Sequence, residues 1–433
     1  RATEPPATPA PPEAAASGPA VRSLAECVEI ALARHPSVGG ADADVEAGRA
    51  RIGQARSGYL PQLAGSWSSD RRQSSFSART GGPTTEVASA STAAEQAFYF
   101  HQGAVSLSQR LFDFGQTLAQ IRAAQARWDS LAAEADTTRA QIVLDVKQAY
   151  FGLLAARRLL AVADETVRSL EQQRELARAR NEVGFAPRID VTRSEVQLAT
   201  AELDQLTARN NVSLAEVTLA NALGFEGPLP FDIEDVLVAR PASLAEPAAL
   251  DRAYAARPEL RSVLALQRAA EQDVAQRQRE LLPSVRADAT YGGSTSEFPL
   301  AETWRVGAVV DVPLFDGGLT IARIGESRAN LHSLRFEEQR LRQQIALEVR
   351  QALLDVARAE QAILVTERAA AQARENLQLA EGRYETGVGN VIELVDAQAA
   401  RASADADRVR ALYDQRTAIA TLERAIAQEL TAP

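Results

Sequence analysis

The feature that most constrains the fold of this chain is a repeat of its own sequence. Two segments recur 203 residues later: VSLSQRLFDFGQT at 105–117 returns as AVVDVPLFDGGLT at 308–320, and QIVLDVKQAY at 141–150 returns as QIALEVRQAL at 344–353. Further upstream, Pro36 and Pro61 return as Pro258 and Pro283, 222 residues later. The sequence therefore predicts an internal duplication, with the same order of structural elements in each half.

Each half has the pattern of a helix pair, a strand hairpin and a very long helical hairpin. The strand regions alternate apolar and polar residues, which is the period of a β-strand. Between 116 and 183 only Gly152 interrupts a helical pattern, and one glycine costs a helix about 1 kcal/mol. A helix over 116–183 would be roughly 100 Å long. No compact domain is that wide, so the helices are predicted to belong to an elongated fold.

These patterns predict the following division of the chain. Residues 1–22, rich in Pro and Ala, form a flexible tail. The first repeat is 23–223, with a strand hairpin at 59–112 and a helical hairpin whose tip is 181–190. Residues 224–243 form a linker between the repeats. The second repeat is 244–430, with a strand hairpin at 283–314 and a helical hairpin whose tip is 384–393. Residues 69–102 are predicted to be a long polar loop.

Composition and motifs exclude several classes of protein. The net charge of −10, from 57 acidic and 47 basic residues, argues against a nucleic-acid partner. The three histidines have no neighbours at metal-ligand spacing, so no metal site is predicted. No phosphate-binding loop, GxSxG or HExxH motif occurs. We therefore expect neither an enzyme nor a cofactor, and the one cysteine, Cys27, is predicted to be a small buried residue of the first helix.

The polar faces of the four strands carry several charged residues: Arg110, Arg286, Asp288, Arg305 and Asp311. Two structures fit this alternation, a membrane β-barrel with a wet lumen and a soluble antiparallel sheet with one solvated face. Four strands cannot close a barrel, which needs about eight, and an open edge is not tolerated in a membrane. A membrane barrel would therefore have to be shared between copies, and the apolar stripes of the long helices also need partners.

The chain resembles the TolC family of outer-membrane efflux proteins from Leu24 to Leu430. The resemblance rests on LAECVEIALARHPSV, YLPQL, LFDFGQT with LFDGGLT, RNEVGFAPRIDVTRSEVQLATAELD and GRYETGVGNVIELVDAQAARASA. It implies a mainly α fold with a small β part: duplicated helical hairpins form a periplasmic tunnel, and four strands per copy form a twelve-stranded transmembrane β-barrel in a homotrimer. It also implies a Gram-negative outer membrane, a periplasmic adaptor and an inner-membrane pump as partners, and the long first loop at the cell surface.

The resemblance, together with the repeated strand-to-helix pattern, gives expected roles to three groups of residues. The adaptor-docking tips are Val183, Gly184, Phe185, Thr386, Gly387 and Val388. The gate at the tunnel entrance is Glu393, Asp396, Tyr384 and Asp190. The junctions between strand and tunnel helix are Leu111, Phe112, Asp113 and Gly115, with Leu314, Phe315, Asp316 and Gly318. The sequence departs from the family at Gly389, where some members carry an arginine that helps to close the tunnel.

Simpler interpretations of these residues remain open. Glu393 and Asp396 could belong to an ordinary solvated helix face. Asp113 and Asp316 are expected to cap the N-termini of the long helices. The predicted function is a passive exit duct of a tripartite efflux pump or type I secretion system, carrying small molecules or polypeptide. The alternatives are a soluble coiled-coil scaffold and a periplasmic adaptor.

Overall fold

The computed structural model of the chain describes residues 21–73, 97–242, 244–296 and 298–430. Its first half contains β1 (Val21–Arg22), α1 (Leu24–Arg34), α2 (Pro36–Ser57), β2 (Gln62–Gln73), β3 (Ala97–Phe112), α3 (Gln116–Glu182) and α4 (Arg188–Ala222). Its second half contains β4 (Asp232–Ile233), α5 (Glu246–Ala256), α6 (Pro258–Arg279), β5 (Ser284–Thr295), β6 (Ala301–Asp311), α7 (Leu319–Glu385) and α8 (Val391–Ala425). The fold is mainly helical, as the sequence predicts.

The duplication is visible in the lengths of the helices. α3 and α7 each have 67 residues, and α4 and α8 each have 35. The shorter pairs match as well, since α1 and α5 have 11 residues and α2 and α6 have 22. Corresponding helices therefore begin and end at equivalent positions of the two repeats.

Local sequence explains where the first helices begin and end. Ser23 caps α1, because its hydroxyl accepts the Glu26 N–H while the Glu26 carboxylate accepts the Ser23 N–H. The helix ends at His35, whose backbone is extended because it precedes Pro36. The helix that follows begins at that proline, which suits a first helical position.

The four long strands form one antiparallel sheet in the order β2-β3-β5-β6. Gln62 pairs with Ser108, Leu107 with Ala289, and Ser284 with Asp311. The central pairing, β3 with β5, is irregular between Arg110 and Phe112 and then continues. Within the described residues β2 and β6 each have one strand neighbour, so both are edge strands.

The chain divides into two compact units. Among the described residues, the first contains 21–42, 134–242, 244–260 and 340–430, and the second contains 43–73, 97–133, 261–296 and 298–339, including the sheet. The largest apolar cluster of the first unit surrounds Tyr150, Leu153 and Leu219 and includes Cys27. A second cluster is built on Ile345, Val349 and Leu422. The prediction that Cys27 is a buried small residue is confirmed.

Four sequence-based boundaries need correction. The strands β2 and β3 extend through 69–73 and 97–103, which were expected to be loop, and residues 74–96 of that predicted loop lie outside the described residues. Val21 and Arg22 are not tail but form β1, which pairs with β4 inside the predicted linker; residues 1–20 lie outside the described residues. Pro187 is the N-cap of α4. Among the helices that the structure describes, none combines the length and the apolar character needed to cross a membrane.

Candidate functional site

The first hairpin tip is a tight turn between α3 and α4. Gly184 has a φ of +80°, a conformation that glycine adopts without steric cost. The N–H groups of Phe185 and Ala186 both donate to the Arg180 carbonyl, at 2.8 and 3.2 Å. These bonds satisfy a carbonyl that the end of a helix leaves free. Gly184 therefore has the left-handed conformation that this turn requires.

The second tip has the same construction. Gly387 has a φ of +75°, and the N–H groups of Val388 and Gly389 donate to the Arg383 carbonyl at 3.1 and 2.8 Å. Asn390 caps α8 by accepting the Ile392 N–H at 3.0 Å. A Cβ at Gly389 would lie 2.9 Å from Arg383 Cβ and 3.0 Å from the Tyr384 nitrogen. The turn therefore has no room for a side chain at the position where some family members carry arginine.

Both tips expose apolar side chains. Phe185 is 86% exposed and Val388 is 74% exposed, and Val183 is also exposed. Thr386 is exposed and bonds back to the Gly382 carbonyl at 2.9 Å. These apolar side chains are therefore available for contact with a partner protein.

The residues assigned to the gate differ in their environments. Tyr384 is 5% exposed and packs with Leu377 and Leu394. Glu393 is exposed and forms an ion pair with Arg383 at 3.3 Å, while Asp396 is exposed on the same helix. Asp190 is half-buried in the first turn of α4, and its N–H donates to the Pro187 carbonyl at 3.0 Å. In the described part of the chain, no hydrogen bond or ion pair joins Asp190 to Tyr384, Glu393 or Asp396.

Sequence reasoning missed the residue that connects the two tips, which is Arg180 near the end of α3. Its Nη1 donates to the Tyr384 carbonyl at 2.9 Å, and its Nη2 donates to the Glu385 carbonyl at 3.0 Å. The guanidinium also lies 4.6 Å from the centre of the Tyr384 ring, within the range of a cation–π contact. Backbone carbonyls leave no mark in a sequence, so the only signal was an arginine four residues before Gly184.

The junctions are helix caps, as the sequence predicts. The Asp113 carboxylate accepts the N–H groups of Gly115 and Thr117 at 3.0 and 2.8 Å, and it also accepts the Thr117 hydroxyl. Asp316 accepts the N–H groups of Gly318 and Thr320 at 3.0 and 2.7 Å. Both glycines have positive φ, +82° for Gly115 and +86° for Gly318. The chain therefore turns from strand to helix in the same way at both junctions.

The environment of Asp113 stabilises its charged form. Burial by itself would raise the pKa of this carboxyl, but the hydrogen bonds from Thr117 and Gly115 and the charge of Arg110 outweigh burial, so the pKa is lowered. The pKa of Asp316 is also lowered, chiefly by the hydrogen bonds from Thr320. The two junctions differ in burial, because Asp316 is exposed whereas Asp113 is buried. Within the residues that the structure describes, no cluster of His, Cys, Asp or Glu could hold a metal ion.

Comparison with solved structures gives the class of the fold. The chain superposes on the crystal structure of a membrane protein from Pseudomonas aeruginosa with a TM-score of 0.81, over 93% of this chain and 92% of that one, at 22% identity. The chain therefore shares the fold of that membrane protein.

The sequence comparisons identify the family. The pattern of the outer membrane efflux protein family matches residues 27–225 and 249–428, and the chain belongs to this family. The outer membrane efflux protein BepC of Brucella suis is 26% identical over 65% of this chain, which spans 58% of BepC. The outer membrane protein TolC of Escherichia coli is 22% identical over 90% of this chain and 79% of that protein.

The family assignment decides between the functions left open by the sequence. It confirms the resemblance to the TolC family and the predicted outer-membrane location. The family consists of channel proteins, which is consistent with a role that is not enzymatic. The two alternatives, a soluble coiled-coil scaffold and a periplasmic adaptor, do not fit a member of this family.

Proposed function

We propose that this protein is the exit duct of a tripartite efflux pump or type I secretion system, which passively conducts small molecules or polypeptide from the periplasm to the exterior. The observation that carries the proposal is the sheet. Within the part of the chain that the structure describes, its four strands leave two edges unpaired, and Leu63, Trp67 and Trp304 are exposed on one face. The other face carries an ionic network, in which Arg286 bonds to Asp288 at 3.0 Å and to Asp311 at 2.9 Å.

A homotrimer would satisfy both features of the sheet. Three copies supply twelve strands, enough to close a barrel with the charged face towards a wet lumen and the apolar face towards lipid. Closure would also remove the open edges, which a membrane does not tolerate. Light scattering in mild detergent measures this assembly, and a well-folded monomer would contradict the proposal.

The helical hairpins would form the periplasmic end of the duct, where their tips meet an adaptor protein and an inner-membrane pump. The exposed Phe185 and Val388 at the two tips supply the apolar contact. The two turns depend on glycines with positive φ, so a β-branched residue there is strained by about 1–2 kcal/mol per position. Replacing both glycines should therefore misplace the docking surface and leave the rest of the chain intact.

The experiment is an export assay on Gly184→Val combined with Gly387→Val. We expect export to be lost while the amount of trimer in the outer membrane stays normal. Gly382→Val is the matched control, because Gly382 lies in α7 five residues before Gly387, has no positive φ and has no atom within 4 Å of an added Cβ. Normal export by the double variant would show that the tips are not the docking points.

The acidic residues after the second tip would form the entrance to the duct, together with Tyr384 and Asp190. In a trimer, Glu393 and Asp396 place six carboxylates around one axis. Like charges about 6 Å apart at an effective dielectric near 20 repel by roughly 3 kcal/mol per pair. Such a ring would attract cations, so the entrance should prefer cations and be blocked by multivalent ones.

A further inference from the structure

The internal duplication relates each position of the first repeat to one of the second, so the two repeats give two examples of one local fold. His35 corresponds to Arg257, 222 residues later. Both residues are the C-cap of an 11-residue helix and have extended backbone before a proline. Two further pairs of positions complete the comparison, each 203 residues apart: Asp145 with Glu348, and Asn221 with Arg424.

In the second repeat these positions hold a charged network. Arg257 is 2% exposed, and its Nη1 lies 2.6 Å from the Glu348 carboxylate. Arg424 reaches the same carboxylate at 3.3 Å and also bonds to Glu259 at 2.9 Å. Burial by itself would raise the pKa of Glu348, but the hydrogen bonds and charges of the two arginines outweigh burial, so the pKa is lowered. The carboxylate at this position is therefore the acceptor for two guanidinium groups.

In the first repeat the same positions line an open cavity of about 820 Å³, which includes His35, Asp145 and Asn221 in its wall. Both arginines of the second repeat are missing here, because His35 and Asn221 stand at their positions. Gly152, which also lines the cavity, stands where the second repeat has Asp355. The first repeat therefore has space where the second repeat has larger charged side chains.

Asp145 keeps the carboxylate of this position without the guanidinium groups. Its Oδ1 accepts Nε2 of Gln141 at 2.8 Å. In the part of the chain that the structure describes, Asp145 forms no ion pair, and its side chain is exposed. Arg410, which also lines the cavity, is paired with Asp407 at 3.0 Å. The cavity wall thus carries a carboxylate whose charge no neighbouring cation balances.

We propose that this cavity binds an organic cation, whose guanidinium, amidinium or ammonium group takes the place that the Arg257 guanidinium has in the second repeat. The Asp145 carboxylate accepts N–H groups of the cation, and such charge-assisted hydrogen bonds are strong. The side-chain amides of Gln148, Asn211 and Asn221 in the wall supply further acceptors. The cavity has the volume of a small-molecule site. The cation would be held there whether or not the chain forms a duct.

The rest of the wall suits a cation with an apolar body. Ile142, Leu159 and Leu214 supply apolar surface, and Tyr413 supplies an aromatic ring. The tyrosine lies close to α3 beside Gly152, where an added Cβ would be 3.9 Å from Cε2 of the ring. An aromatic ring attracts a cation placed over its face. The wall therefore combines one charged acceptor with an apolar and aromatic surface.

The experiment measures the binding of benzamidine to the full chain in mild detergent by isothermal titration calorimetry. Benzamide has nearly the same shape without the charge, and benzoate has the opposite charge, so we expect both to bind more weakly. Asp145→Asn keeps the size of the side chain and removes its charge. We expect it to lower the affinity for benzamidine by roughly tenfold or more, because a hydrogen bond to a charged group contributes about that much. Glu171→Gln is the matched control, since Glu171 is an exposed acid of the same helix outside the cavity wall.

A second variant rebuilds the network of the second repeat in the first. His35→Arg with Asn221→Arg returns two guanidinium groups to the positions beside Asp145 and fills the cavity. We expect this variant to lose benzamidine binding without a fall in the melting temperature of the free protein. Benzamidine binding that survives in this variant would place the ligand elsewhere and contradict the proposal.

The same affinity in Asp145→Asn as in the unchanged protein, or equal binding of benzamide and benzamidine, would overturn the cation site. No saturable binding to the unchanged protein would overturn it as well, and a second copy of the chain would then be the candidate to fill the cavity. Light scattering of the same sample reports assembly separately. A folded monomer that binds benzamidine would contradict the proposed function and support the cation site.

Discussion

Arg180 should hold the two hairpin tips together, and its removal should favour an open entrance. The side chain begins on α3, in the first hairpin, and both of its hydrogen bonds end on carbonyls of the second hairpin, at Tyr384 and Glu385. The geometry at Gly389 excludes a side chain from that turn. The arginine that closes the entrance in some family members is therefore replaced, in our interpretation, by an arginine on the opposite hairpin.

The size of the effect can be worked out from these contacts. A hydrogen bond to a charged group stabilises by roughly 1.5–3 kcal/mol, but both bonds of Arg180 are partly exposed to water, so about 1 kcal/mol each is a fair value. The contact with the Tyr384 ring adds about 0.5 kcal/mol at such a site. Removing the side chain should then cost the closed arrangement about 2.5 kcal/mol, a roughly 60-fold change in an equilibrium constant.

The assay is single-channel recording in a planar bilayer. We expect Arg180→Ala to raise the ratio of open to closed time by roughly 60-fold, and Arg180→Lys to have an intermediate effect because an ammonium group lacks the planar two-pronged donor. Arg178→Ala is the matched control, since Arg178 is two residues away but pairs with Glu195 inside the first hairpin at 2.6 Å. If Arg180→Ala and Arg178→Ala behave like the unchanged protein, Arg180 does not contribute to closure.

Three further predictions concern charged groups. Lys147 and Glu423 form a buried ion pair at 2.8 Å. Lys147→Met should destabilise the protein by about 3–5 kcal/mol in thermal unfolding. Adding Glu423→Leu to Lys147→Met should recover most of the lost stability. Asp113 has a lowered pKa in the folded protein. Its contribution to the stability of the fold is therefore complete above the ordinary carboxyl pKa of 3.8 and is lost as the pH falls through the lowered value. In a plot of melting temperature against pH, Asp113→Asn should reduce the loss of stability at acid pH, and an unchanged loss would refute this. Glu393→Gln with Asp396→Asn should abolish the preference of the channel for cations in bilayer recordings. Asp396→Asn alone should account for most of this change, because Glu393 is already paired with Arg383. Unchanged selectivity would mean that both acids belong only to a solvated helix face.

The long helices and their caps could be predicted because their causes are local. A proline-free stretch with one glycine fixes α3 within a residue at each end, and an aspartate two residues before a glycine marks each cap. The full length of β2 and β3 could not be predicted. Their outer ends consist of residues such as Ser69, Asp70 and Gln102, which have low strand propensity. Pairing with a neighbouring strand, not composition, makes those residues a strand.

In the candidate site, too, features with a local cause could be predicted and contacts between distant residues could not. The turn glycines were predictable, since positive φ restricts the choice of residue. Arg180 was not, because its partners are carbonyl groups that every residue carries. The ion pair between Arg383 and Glu393 was also missed, although both residues flank the second tip. Contacts between the hairpins depend on how the helices pack, and one sequence without its fold does not specify that packing.

The two repeats have kept the lengths of their helices and lost the equality of their strand loops. α3 matches α7 and α4 matches α8 residue for residue, whereas the offset between the repeats changes from 222 to 203 across the first strand hairpin. Residues added to one long helix would shift its tip and rotate its apolar stripe by about 100° each, so Arg180 would lose its partners and the proposed docking residues would be misplaced. A surface loop absorbs added residues at little cost. Equal helix lengths in the two repeats are therefore expected if the two tips act together. The same requirement explains why the extra residues of the first repeat lie between β2 and β3 and not in a helix.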